Sequence, residues 1–365
     1  MSSTLPARSI ALVYGTRPEQ IKLSVLITLL GDQARLIHTG QHHDPALANS
    51  QAHLQLAVGG APRGVQIGEA TAQISRHFTA EPPHAVIVQG DTNAALAGAL
   101  AANAVGAPLI HIEAGLRSGD RAMPEEHNRI LIDHLADHCC AATPGNVANL
   151  WAEGIAEERI LLTGNTIVEA VHLTSRNHHA AAAAPPNGQP YILATLHRPE
   201  NVDTPHRLAA ILTALRNLDQ SVLLPLHPRT RTRIAQFSLA PHLTGLTTTP
   251  PAAYPAYLAL AERAALIISD SGGIQEEASI LGVPLIVLRR STERPEALGD
   301  RCTLTHEPAD LPRVATTLTT TPPARSASPF GDGRASARIA DLAELTAADH
   351  TPTKVAPSEA HPHHT

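Results

Sequence analysis

The feature that most limits how this chain can fold is an alternation. Eight short apolar runs recur between segments of helical character: SIALVYG (9–15), ARLIHTG (34–40), HAVIVQGD (84–91) and PLIHIEAG (108–115), then PYILATLH (190–197), VLLPLHP (222–228), ALIISDSGG (265–273) and PLIVLR (284–289). Runs apolar on both faces, separated by helices, are what parallel strands buried between helical layers look like. At 365 residues the chain exceeds what one core supports, so two doubly wound α/β domains are expected. The stretch SRNHHAAAAAPPNGQP (175–190) has no apolar periodicity and reads as the linker between a domain over 1–174 and another over 191–350. Residues 351–365 have the composition of a disordered tail.

Composition removes several function classes. A net charge of −6 leaves no general basic excess for nucleic acid or an anionic membrane. No apolar run approaches the roughly 18 residues of a membrane span, and the N-terminus lacks a secretory pattern, so a cytoplasmic protein is expected. The three cysteines, Cys139, Cys140 and Cys302, have neither disulfide-framework nor metal-ligand spacing. Of 27 basic residues only two are lysines, Lys22 and Lys354, a bias that singles out Lys22 as the lysine outside the terminal tail.

Ligands of open parallel sheets bind beyond the carboxyl ends of the strands. Here those ends are unusually polar: GTRPEQIK, GDT, EAG, HRPEN, HPRTR and DSGG. Neither G-x-G-x-x-G nor a P-loop pattern occurs, which disfavours dinucleotide oxidoreductases and P-loop NTPases. Arg17 precedes a helix start, where free N–H groups and the positive dipole end favour an anion, and Lys22 follows about one turn later. Ser271, Gly272 and Gly273 open another helix and let backbone N–H groups approach a phosphate, while Glu277 is spaced to accept from ribose hydroxyls. With Arg294 as a diphosphate clamp, this second set describes a nucleotide-diphosphate site. The first half contributes Asp91, Glu113 and the pair Glu125 and Glu126, faced by Arg117, Arg129 and His197. Such a set suits proton transfer, although each residue alone has a bland reading as a solvated loop charge or a helix first-turn carboxylate.

The ordered set GTRPEQIKL, TGQHH, GDT, HIEAGLR, PEEHNR, TGNTIVEAV, HRPENV, HPRTR, DSGGIQEEASILGVPLIVLR, TERPEA and PFGDGRASARI resembles the non-hydrolysing UDP-N-acetylglucosamine 2-epimerases over about residues 9–345. The resemblance implies a glycosyltransferase-B-like arrangement of two Rossmann-like domains with the active site in the interdomain cleft, UDP held by the second domain, the last helix packing back on the first, and a homodimer. It implies epimerisation at C2 of a UDP-2-acetamido sugar, UDP-GlcNAc to UDP-ManNAc, by elimination of UDP to a 2-acetamidoglucal and re-addition, with neither NAD nor metal as cofactor. By motif, Asp91, Glu113, Glu125 and His197 take catalytic positions. Arg17, Lys22, Arg129, Ser271, Gly272, Gly273, Glu277 and Arg294 take substrate or UDP positions.

The sequence departs from this pattern in places. HRPEN stands where allosterically activated bacterial members carry HRREN, and VQIGEATAQ replaces their glutamine-bearing loop, so weak or no activation by substrate is expected although Gln41 and His42 persist. HRPENV with HPRTR is closer to the archaeal and diacetamido-uronate branch. Alternatives are therefore a UDP-2,3-diacetamido-glucuronate or secondary-metabolite UDP-sugar epimerase, a hydrolysing epimerase releasing ManNAc and UDP, a retaining glycosyltransferase, or a nucleotide-sugar sensor.

Overall fold

The computed structural model describes residues 9–41, 52–177, 189–320 and 328–352. His42 and His43, the linker segment 178–188 and nearly all of the C-terminal tail lie outside the described residues. The chain divides into two compact units, one of Met1–Leu116, Arg121–Thr166 and Arg334–Thr365, the other of Arg117–Asp120 and Ile167–Gly333.

The first unit contains β1 (Ile10–Tyr14), β2 (Ala34–His38), β3 (Leu54–Gln55), β4 (Ala85–Gln89), β5 (Leu109–Ala114), β6 (His138–Ala141) and β7 (Ile160–Leu162). They form a parallel sheet in the order β3-β2-β1-β4-β5-β6-β7. The second unit contains β8 (Tyr191–Thr195), β9 (Ser221–Pro225), β10 (Thr247–Thr249), β11 (Leu266–Ser269), β12 (Leu285–Leu288) and β13 (Cys302–Thr305), parallel in the order β10-β9-β8-β11-β12-β13. All eight strands expected from apolar runs form. Five more, β3, β6, β7, β10 and β13, run to four residues or fewer; β6 reads HCCA and β10 reads TTT.

Strand alternation sorts each residue to a face. In β1, Ala11 and Val13 enter one core, whereas Ile10, Leu12 and Tyr14 enter another together with Leu23, Leu26, Ile339 and Ala343. The Ala-rich helix Asn93–Val105 lies close on the sheet. A Cβ on its Gly98 would come within 2.9 Å of the Val13 Cβ, so a side chain there would push helix and sheet apart. Helix Ala335–Asp349 packs against helix Arg17–Leu30 and therefore belongs to the first unit. Each wholly buried aliphatic side chain there contributes about 1.5–3 kcal/mol. That outweighs exposed polar contacts such as Gln33 to Glu344, 3.2 Å.

The expected domain boundary needs one correction. Helix Ile167–Asn177 packs on helices Tyr254–Arg263 and Gly272–Leu281 of the second unit, so residues 167–174 do not belong with the first. Its apolar positions Ile167, Val168, Ala170 and Val171 are buried, which is what draws it there. Helical structure also continues through Ser175–Asn177, residues assigned to the linker from sequence.

Candidate active site

The strand order reverses between β1 and β4 in the first sheet and between β8 and β11 in the second. Reversal leaves adjacent strand ends whose connections depart to opposite faces, opening a crevice at the carboxyl edge. Four of the six polar strand ends singled out above fall at these points, while EAG and HPRTR lie at the ends of the neighbouring strands β5 and β9. Arg17 and Lys22 follow β1, Asp91 follows β4, His197 follows β8, and Ser271–Gly273 follows β11.

In the first unit Glu113 is buried near the end of β5. The β5–β6 register shifts between Ile112 and Ala114, and Glu113 has φ +67, a left-handed conformation that costs a glutamate about 1–3 kcal/mol. Its Oε1 accepts hydrogen bonds from Lys22 Nζ and from Asn165 Nδ2, the latter at 2.7 Å. Lys22 is itself 6% exposed, so its ammonium is committed to this pair rather than to solvent. The Glu113 carboxylate also lies against Gly90, since a Cβ built there would stand 3.4 Å from Oε2.

Asp91 is gripped by helix Pro124–Leu135. Arg129 donates to Asp91 Oδ2 from Nε at 2.8 Å and from Nη2 at 2.7 Å, while Asn128 Nδ2 donates to the Asp91 carbonyl at 2.8 Å. Arg63 in turn holds Asn128 Oδ1 at 2.5 Å. Glu126, buried, neutralises Arg129 through Nη1. Within PEEHNR the second glutamate is thus structural, and Glu125 is the half-buried one, with no side-chain ion pair to another described residue. Arg129, expected to stabilise substrate charge, is here paired with both Asp91 and Glu126.

Glu19 was not singled out from sequence. Its carboxylate accepts from Gly15 N (3.0 Å), Thr16 N (2.8 Å), Thr16 Oγ1 (2.7 Å) and, through the other oxygen, Thr92 Oγ1 (2.7 Å). It therefore fastens the turn before Arg17 to the turn after Asp91. Complete burial pushes this carboxyl up to about 7 against the opposing pull of its four donors. The T-x-x-E spacing from Thr16 was the available signal.

In the second unit Asp270 is fully buried and accepts from His197 N (3.1 Å), Arg198 N (3.0 Å) and Asn201 Nδ2 (3.1 Å). Burial would raise its carboxyl, but the bonds and charge of His197 and the N–H of Arg198 outweigh it and hold it below the usual range. The His197 Nδ1 lies 3.0 Å from Asp270 Oδ1. Nδ1 therefore donates to the carboxylate, and in a neutral ring Nε2 is left as the acceptor.

The turn after β11 brings the main chain close against neighbouring side chains. Ser271 N donates to Ser269 Oγ at 3.0 Å, and helix Gly272–Leu281 begins at the two glycines. A Cβ on Gly272 would meet Glu293 Oε1 at 2.4 Å and Arg294 Nη1 at 2.8 Å, whereas one on Gly273 would meet nothing within 4 Å. Arg294 is buried and pairs with Glu276 (2.6 Å) and Glu293 (2.5 Å), and Arg289 reaches Glu293 at 2.9 Å. Arg294, expected to clamp a diphosphate, stands beside the glycine turn in these pairs with Glu276 and Glu293. Glu277 is buried near Tyr254 and Tyr257, whose phenols are driven up by burial and by its charge. Among the described residues no group of three or more His, Cys, Asp or Glu is placed to hold a metal, and no helix is long and apolar enough to cross a membrane.

Two doubly wound parallel sheets in one chain place the protein in the glycosyltransferase-B-like α/β class. Residues 31–344 match the UDP-N-acetylglucosamine 2-epimerase family model, and the chain belongs to that family. It is 39% identical over 311 residues to the UDP-N-acetylglucosamine 2-epimerase of Methanococcus maripaludis, covering 79% of this chain and 85% of that protein. It is 37% identical over 299 residues to the UDP-2,3-diacetamido-2,3-dideoxy-D-glucuronate 2-epimerase of Pseudomonas aeruginosa, covering 77% and 83%. The crystal structure of the Methanocaldococcus jannaschii UDP-GlcNAc 2-epimerase in complex with UDP-GlcNAc and UDP superposes with a TM-score of 0.83 at 36% identity, covering 92% of this chain and 99% of that one.

Proposed function

We propose that this enzyme interconverts UDP-N-acetylglucosamine and UDP-N-acetylmannosamine without releasing free sugar. Carbon 2 is not beside a carbonyl, so its proton is too weakly acidic for simple removal and return. Elimination avoids the difficulty. A carboxylate takes the C2 proton, the C–H electron pair becomes the C1–C2 double bond, and the C1–O pair leaves with UDP. Protonation of the glucal from the opposite face and return of UDP to C1 complete the inversion.

The observation that carries this reading is the Glu113 site, a buried carboxylate in a strained backbone, beside the Asp91 turn and held by a buried lysine. Catalytic power of this kind rests on a carboxylate pre-positioned for proton transfer. Asp91, Glu113 and Glu125 handle the C2 protons. His197, set by Asp270, serves the departing UDP, and the N–H groups of Gly272 and Gly273 receive its phosphates with Ser271 and Arg17. Glu277 accepts from ribose. Arg129 and Arg294 act through Asp91 and through the glycine turn. The assembly that the resemblance implies is a cytoplasmic homodimer, which sedimentation checks, and a hyperbolic rate curve with UDP-GlcNAc is expected.

The test is incubation with UDP-GlcNAc in deuterium oxide followed by NMR. Deuterium at C2 in a gluco/manno mixture is expected, and free N-acetylmannosamine with UDP would overturn the non-hydrolysing reading. The likeness to the diacetamido-glucuronate enzyme supports that sugar as the second candidate. A parallel incubation with it decides between them.

A further inference from the structure

Beneath the carboxylates lies a buried pair that the proposed chemistry does not use. His111 and Asp133 are both 0% exposed. His111 sits on β5 two residues before Glu113, and its Nε2 lies 2.8 Å from the Gly90 carbonyl. A carbonyl only accepts, so Nε2 carries a proton. Its Nδ1 lies 2.6 Å from Asp133 Oδ1, and Asp133 Oδ2 accepts from Gly115 N at 3.1 Å. The pair therefore takes hold of the chain at two points. Gly90 immediately precedes Asp91, and Gly115 follows Glu113 by two residues.

We propose that His111 and Asp133 are positioning residues that lock the strained turn at Glu113 and tie it to the turn that presents Asp91. An ordinary strand residue would relax from φ +67 into the extended region, and successive side chains in a strand point to opposite faces. Relaxation at Glu113 would swing its carboxylate away from Lys22 and Asn165. The bond from Gly115 to Asp133 fixes the chain just after the distortion. His111 carries that restraint across to β4. The argument rests on the reading of Glu113 as a proton-transfer group.

The test is a double-mutant cycle in the full chain, read as the rate of deuterium incorporation at C2 of UDP-GlcNAc, with KM, calorimetric UDP affinity and thermal unfolding measured alongside. Asp133→Leu removes the acceptor from both Gly115 N and His111 Nδ1. It is expected to lower kcat about 100-fold, the cost of roughly an ångström of misplacement, with KM and UDP affinity within about threefold of wild type. In a Glu113→Gln background the same change should cost little more, because both act through one carboxylate. Asp133→Glu, which keeps the acceptor, should recover part of the loss. Should Asp133→Leu not fold, His111→Gln carries the same cycle. Losses that multiply in the Glu113→Gln background, or a folded Asp133→Leu with wild-type kcat, would overturn the lock alone. A wild-type rate in Glu113→Gln by itself would instead overturn the role given to Glu113 in the proposed function, and the lock's catalytic meaning with it.

Discussion

The two strand-reversal points use charge in opposite ways. In the first unit the ion pairs include the groups assigned to chemistry: Glu113 is held by Lys22 and Asn165, and Asp91 by Arg129. In the second unit the strongest buried pairs are spent on framework. Arg294 neutralises Glu276 and Glu293, while Asp270 is filled by main-chain and asparagine N–H groups. What this framework supports is the backbone at the start of helix Gly272–Leu281, where Gly272 is buried and Gly273 is half-buried. Side chains must be placed individually to move a proton, whereas a helix N-terminus offers several N–H groups to a phosphate at once. The contrast predicts that substitutions in the first unit change rate with little change in UDP binding, and that those in the glycine turn do the reverse.

The largest effect should come from Glu113→Gln. The amide keeps the shape and can still accept from Lys22 or Asn165, but it takes no proton. A loss on the order of 10³-fold in C2 deuterium incorporation is expected, with UDP affinity by calorimetry within about threefold of wild type. A parallel loss of UDP affinity would break the division between the two regions.

Glu19 supplies a test of how the first region is held together. Its carboxyl stands at about 7 in the folded chain against an ordinary value of 4.5. A raised pKa stabilises the fold fully below the unfolded value, and the benefit is lost as pH rises through the folded value. The stability of wild type relative to Glu19→Gln should therefore decline by about 3 kcal/mol between pH 4.5 and pH values above 7. Urea unfolding of both proteins across that range measures it. A difference that does not vary with pH would show that Glu19 has the same pKa in the folded and unfolded chain.

How far this was legible in the sequence differs along the same line. Strands with apolar faces on both sides announced themselves, because parallel strands need burial on both sides. Short strands such as HCCA and TTT did not, since their pairing is imposed by neighbours already in register. Helix 167–177 was assigned to the wrong unit because an amphipathic pattern gives the face to be buried but not the surface it buries against. At the site, residue types and order pointed to Asp91, Glu113 and the glycine turn. Sequence could not distinguish an arginine that meets substrate from one that buttresses a residue that does. Arg129 and Arg294 have the same composition signal as Arg17, and nothing in their spacing announces the buried carboxylates that pair with them. The restraint through His111 and Asp133 was invisible for the same reason, being a contact between strand and helix over 22 positions.

Lys22→Arg sharpens the comparison at smaller scale. The ammonium reaches Glu113 in a pocket where it is 6% exposed, and a planar guanidinium with a different donor geometry does not replace it. We expect kcat to fall about tenfold or more, with thermal unfolding within a few degrees of wild type and UDP affinity unchanged. A fully active variant would return this lysine to an accident of composition.

The smallest effects, and the most discriminating, belong to the two glycines. Gly272→Ala would drive a Cβ into Glu293 and Arg294, so the pair must shift and the turn with it. Overpacking of this kind costs about 1–3 kcal/mol, and both UDP affinity and stability should fall. Gly273→Ala adds a Cβ in open space on the first turn of a helix, where alanine is favoured over glycine by up to about 1 kcal/mol. Its folding stability should be unchanged or slightly raised. If the N–H of Gly273 receives a phosphate, the methyl group nonetheless intrudes where the phosphate must approach, and UDP affinity should fall about tenfold while stability does not. Calorimetric titration with UDP beside thermal unfolding separates the two glycines. Full UDP affinity in Gly273→Ala would mean that the second region binds through its side chains after all, and the contrast with the first would no longer hold.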